Sequence, residues 1–144
     1  MAWLFLDTHI PGQFRVGCIG SGSRDRVRSY QERASGALRA IASLLKRRKP
    51  DGVCIVAGPG SFSSVRTGVL YANLLARGWN VPLVGVSVTE AGDLAALSAR
   101  LSASRSTLHA PRSTPYVAPI YDAEPNITIP RPVASEASFT GPHK

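Results

Sequence analysis

The chain has 144 residues, of which 44% are hydrophobic and 18% charged, a globular balance for one domain that excludes wholesale disorder. Its longest apolar runs, such as Trp3 to Leu6 and Val53 to Ala57, are far too short to cross a bilayer, so no membrane span is expected. The net charge is +8, and ten of the 17 Lys and Arg residues fall between Arg15 and Lys49, against only Asp25 and Glu32.

That asymmetry attracts phosphate backbones, although a solvated, solubilising face is the plainer reading of a basic cluster without a nucleic-acid motif. No basic stretch precedes Asp7, which argues against a secretory leader and makes the cytoplasm the expected location. Cys18 and Cys54 sit inside apolar segments and are expected to be buried and reduced. His9, His109 and His143 are scattered, with no ligand spacing, so neither a metal nor another cofactor is expected.

In chain order, residues 3–6 and 14–19 read as two strands joined by a turn at Pro11-Gly12. Asp25 to Glu32 is a polar stretch suited to the third, edge strand of a meander. From Ala34 to Arg48 the period becomes helical, with Ala34, Ala37, Leu38, Ile41, Leu44 and Leu45 on an arc wider than one neighbour requires. Pro50 is expected to stop this helix, whose basic last turn suits the negative end of its dipole. Val53 to Ala57 reads as a strand buried on both faces.

The turn Gly58-Pro59-Gly60-Ser61 leads into a second helix, Ser63 to Arg77. Val65, Gly68, Val69, Ala72, Leu75 and Ala76 cover one side of it, and Thr67, Leu70, Tyr71 and Leu74 cover most of the other. Only Arg66, Asn73 and Arg77 form a polar stripe. So much apolar surface exceeds what a chain this small can enclose, which implies a partner. Gly78 suits a left-handed cap, Val81 to Val88 another strand, and Ser87 with Glu90 the capping box of a third helix reaching about Leu101. This order predicts an α/β fold with parallel crossovers. Residues 102–115, rich in Ser, Arg and Pro, read as a linker, and 116–144 as an extended or poorly ordered tail.

The glycine-rich turn is neither a Walker A loop, since Gly-Lys-Ser/Thr is absent, nor a dinucleotide fingerprint, since Ser63 stands where the third glycine belongs. A tight structural turn and an anion site made of backbone N–H groups are both open, the former favoured. Asp7 ends the first strand and is as well suited to a cap or turn as to catalysis.

From Val53 to Leu94, with Gly58-Pro59-Gly60-Ser61-Phe62, Val65-Arg66, Gly68 and Pro82-Leu83-Val84-Gly85-Val86-Ser87, the sequence closely resembles the TsaB (YeaZ) family of bacterial tRNA-modification proteins. Leu4-Phe5-Leu6-Asp7-Thr8 is similar to that family's opening strand, and Ala34 to Arg48 stands where its first helix belongs. The likeness runs over about residues 3–100. It implies one actin-like (ribonuclease H-like) half domain over 1–101, a mixed sheet with an N-terminal meander and a parallel βαβ crossover. Of the family's second half the sequence holds only the Ser/Arg/Pro-rich segment, and Pro119-Ile120-Tyr121 resembles a segment that closes some members.

The resemblance implies a non-catalytic scaffold that pairs with the TsaD transferase, alongside the TsaE-like ATPase, in making N6-threonylcarbamoyladenosine on tRNA. The transferase carries paired metal-binding histidines on a helix; this sequence has none, and so resembles the partner. The expected interface residues are Ala37, Leu38, Ile41, Leu44, Leu45, Val65, Val69, Leu70 and Leu74, divided between sheet and partner, with a homodimer as the alternative cover. An enzymatic alternative, an actin-like ATPase or phosphotransferase, would use Asp7, Thr8, Gly58, Gly60 and Ser61 as a vestigial nucleotide site. Pro11 lacks the N–H that a phosphate loop would use, and no general base, lysine or metal set accompanies Asp7. Weak electrostatic help toward tRNA is expected from Arg24, Arg26, Arg28, Arg33 and Arg39.

Overall fold

The computed structural model describes residues 2–20, 25–103 and 116–121. Five strands, β1 (Trp3–Asp7), β2 (Phe14–Ile19), β3 (Arg26–Tyr30), β4 (Gly52–Gly58) and β5 (Leu83–Ser87), form one sheet in the order β3-β2-β1-β4-β5. The first three pair antiparallel as a meander, while β1, β4 and β5 run parallel. The α/β architecture and mixed sheet expected from the pattern are both present.

Helices cover both faces, which is why β1 and β4 are buried at every position. The period of two divides their side chains between layers. Leu4, Leu6, Val53 and Ile55 pack under α1 (Ala37–Leu45) and α2 (Phe62–Trp79). Trp3, Phe5, Cys54 and Val56 pack against α3 (Val88–Ala91) and α4 (Leu94–Ala103). Each such large apolar side chain contributes about 1.5–3 kcal/mol by leaving water.

The helix ends differ from expectation in three places. A 3-10 turn over Ala34–Gly36 precedes α1, which ends at Leu45 rather than at Pro50. Lys46 and Arg47 adopt φ of 47° and 72°, so the basic residues meant for the last turn lie beyond it in a left-handed cap. The second helix runs through Gly78, and its left-handed cap is Asn80, at φ 58°; asparagine tolerates that region better than most residues. The third helix is two. The capping box on Ser87 and Glu90 forms as expected, but α3 stops at Gly92, and the Asp93 carboxylate accepts the Ala96 N–H at 3.1 Å to start α4.

The last of these helices continues past Leu101 to Ala103, so the expected linker boundary at 102 is displaced. Buried Ser98 accepts the Gly20 N–H at 2.8 Å, and Ser102 donates to the Gly20 carbonyl at 2.6 Å. Two hydroxyls one turn apart thus fasten α4 to the end of β2. The remaining expectations for the linker and tail, at 104–115 and 122–144, lie outside the described residues. The described part, 116–121, is extended and docked: Asn73 on α2 accepts the Val117 N–H at 3.0 Å and donates to its carbonyl at 2.9 Å.

Candidate functional site

Because β1 and β4 are parallel neighbours, their C-terminal ends meet, and the residues expected to hold a nucleotide come together there. The Ser61 N–H donates to the His9 carbonyl at 3.2 Å, which ties the glycine turn to the residue after Thr8. The side chains of Asp7 and Thr8, however, are engaged by neighbouring residues, while the Ser61 hydroxyl is buried without a hydrogen-bond partner among the described residues. Asp7 is 3% exposed, and its Oδ2 accepts Nε and Nη2 of Arg15 at 3.0 and 2.6 Å. Its Oδ1 accepts the His9 N–H at 3.1 Å and lies 2.6 Å from His9 Nδ1. Two arginine nitrogens on one oxygen hold the buried carboxylate as a charge partner, which offsets the cost of taking it out of water.

Arg15 arrives there because the hairpin register places it opposite Asp7, with its guanidinium 5.3 Å from the Phe5 ring centre. Its role follows from the hairpin: a turn centred on Pro11 pairs residues 7 and 15. An open pocket of about 120 Å³ remains, lined by Asp7, His9, Ile10, Gln13, Phe14 and Arg15. Thr8 is fully buried and donates its hydroxyl to the Ser64 carbonyl at 2.7 Å. Only a glycine at position 68 lets α2 approach this closely, since an added Cβ would sit on Thr8 Oγ1.

The turn itself is closed from outside. Gly58 has φ 118° and precedes a cis bond to Pro59; Ile120 donates its N–H to the Ala57 carbonyl at 2.7 Å, and its own carbonyl fills the place a Cβ on Gly58 would take. Tyr121 packs on Phe62 with ring centres 4.6 Å apart. Asp7, Thr8, Gly58, Gly60 and Ser61 are therefore adjacent, yet arranged as a structural joint: the carboxylate is paired, the threonine hydroxyl spent and the glycine turn covered. Burial pushes the Cys54 thiol up to about 12 and raises that of Cys18 as well, which keeps both protonated and unreactive at neutral pH.

The expected helix face divides sharply. Ala37, Ile41, Leu45, Val65 and Val69 are buried against the chain's own sheet and so fall on the sheet's side of the expected division. Leu38, Leu70 and Leu74 stand out at 42%, 52% and 60% exposure, and Leu44 is half-buried. Leu70 and Leu74 are one turn apart on α2, and at 100° per residue Arg66 and Arg77 border them. The 3-10 turn that opens α1 packs beside α2, which brings Leu38 to the same layer. Among the described residues, the α3 and α4 layer has no exposed large apolar side chain.

The family model described as TsaD, tRNA N6-adenosine threonylcarbamoyltransferase, matches residues 27–129, well over half of the chain. Among solved structures, YeaZ from Pseudomonas aeruginosa superposes with a TM-score of 0.53 at 24% identity, covering 60% of this chain and 43% of that one. A crystal structure described as an uncharacterized protein with similarity to peptidase YEAZ from Pseudomonas aeruginosa gives 0.48 at 26% identity over the same shares. The chain thus spans less than half the length of these two solved structures, and no curated protein matches it significantly. By its sequence the chain belongs to the TsaD family, and it folds as YeaZ does, in keeping with the likeness to TsaB (YeaZ) proteins carried by its glycine-proline-glycine turn and opening strand.

Proposed function

We propose that this protein serves tRNA threonylcarbamoyl modification as a non-catalytic subunit, covering the outer face of α1 and α2 with a TsaD-like transferase in a complex that also includes a TsaE-like ATPase. The observation that carries this reading is the exposure of Leu38, Leu70 and Leu74 on one helical layer, with arginines beside the leucines of α2. An apolar centre with a polar rim is how protein interfaces are built, and about 800 Å² per partner is the usual size. The Asp7 end of the sheet supports the same division of labour, since its carboxylate is held by Arg15 and His9 rather than turned to a substrate.

The test is co-purification of the full chain with the transferase from the same cell. Leu70→Asp with Leu74→Asp should abolish the complex, and because both side chains are already half in water the variant should fold. Unchanged complex formation by the folded double variant overturns the reading.

A further inference from the structure

Between Arg26 and Lys49 the sequence carries Arg26, Arg28, Arg33, Arg39, Lys46, Arg47, Arg48 and Lys49 against the single acid Glu32. All eight cations are exposed. The fold gathers their two ends. Gly52, Trp3 and Ile19 are aligned across β4, β1 and β2, and Cys18 faces Arg26 on β3. The run Lys46 to Lys49, which leads into β4, therefore arrives at the end of the sheet where Arg26 sits. Arg28 stands opposite Val16, and Val16, like Cys18, points to the α1 side of the sheet, so Arg26 and Arg28 project on that side as well. The positive field of Arg48 at the Cys18 thiol agrees with this placement.

Ordinary causes account for part of the charge: arginine on an edge strand discourages strand addition, and cations suit a helix C-terminus. Neither explains why the left-handed cap after α1 is made of cations rather than glycine or asparagine. Lys46 and Arg47 both take left-handed conformations, where glycine is the low-cost residue and any residue with a Cβ is strained by about 1 kcal/mol or more. The turn leaves two long cations exposed at the end of the sheet that also carries Arg26. Glu32 relieves the cluster little, lying 3.8 Å from an Arg39 that is 77% exposed.

We infer that the corner formed by β3 and the left-handed turn after α1 binds the phosphate backbone of an RNA, using Arg26, Arg28, Arg47 and Arg48, with Lys46 and Lys49 beside them. The site reads charge and not base identity, because the aromatic ring that β3 carries, Tyr30, is stacked on Phe14 with ring centres 4.8 Å apart. This differs from the expectation drawn from sequence, where the arginines before and along α1 carried the contact: the turn after the helix supplies half of the site. That the RNA is a tRNA rests on the proposed function; that it is a polyanion rests on the corner alone.

The experiment measures binding of the full chain to an unmodified tRNA transcript by fluorescence anisotropy as salt rises from about 50 to about 200 mM, where each phosphate contact adds roughly one unit to the slope of log K against log salt. Arg26→Glu and Arg28→Glu combined with Arg47→Glu and Arg48→Glu should weaken binding at low salt at least tenfold and flatten the slope by about three. The neutral pair Arg47→Gln and Arg48→Gln, milder to folding, should show the same change at about half the size. Binding indifferent to salt, or undiminished in the variants, overturns the inference, as does tighter binding to phosphatidylserine vesicles than to tRNA. Leu70→Asp with Leu74→Asp should leave the slope unaltered, so loss of the transferase complex and loss of RNA binding are read separately.

Discussion

Two helical layers cover the same sheet and finish their outer surfaces in opposite ways. On α4, Leu97 and Leu101 turn inward at 3% and 1% exposure, while Ala95, Ala96, Ala99 and Arg100 meet water. On α1 and α2 the inward positions mix branched residues, Ile41, Leu45, Val65 and Val69, with small ones, Ala37, Ala40, Ala72 and Ala76, while Leu38, Leu70 and Leu74 face out. The chain is thus able to hide its large side chains, and in the first layer it nevertheless leaves three leucines outside. Exposure there reflects which residues occupy the outer positions and not a shortage of core; α2 lies close to the sheet because alanine and Gly68 let it.

The sharpest way to break this contrast is to truncate a leucine in each layer. Leu97→Ala should cost about 2–5 kcal/mol, since it opens a cavity between α4 and the sheet; chemical denaturation would measure it. Next comes the clamp that holds α3 to α4. Arg100 and the Ser87 N–H hold the Glu90 carboxyl below its ordinary range, with Arg100 Nη1 at 2.7 Å. A depressed carboxylate stabilises the fold fully above its unfolded value, about 4.3, and the stabilisation fades as pH falls through the folded one. Glu90→Gln should therefore lower stability by about 0.5 kcal/mol near neutral pH, and the difference from wild type should vanish in acid, as thermal melts across pH would show. Smallest of all is Leu74→Ser, expected within about 0.5 kcal/mol of wild type. A loss as large as that of Leu97→Ala would mean that α2 has no free face.

Much of this architecture was legible in the sequence. The unbroken Val53 to Ala57 run announced a central strand, and the change of period at Ala34 announced the first helix. Helix ends were harder, because they depend on backbone conformations that several residues can adopt: Asn80 took the cap offered by Gly78, and Lys46 and Arg47 turned left before Pro50 was reached. Gly92 and Asp93 ended one helix and began another where a single period had been read. At the Asp7 end, composition suggested a carboxylate on its own, whereas the register supplied Arg15 as its partner. The leucines of α2 were visible as a second apolar side; which members stayed outside was decided by where the sheet lies, and no spacing rule contains that.

The two hydrogen bonds between Asn73 and Val117 have a practical corollary. Asn73 lies on α2 between Leu70 and Leu74 in sequence, and the extended segment it grips begins at Tyr116, which is 75% exposed. A dye attached at position 116 would sit next to the docking leucines without occupying them, and its emission would register the arrival of a second polypeptide in real time.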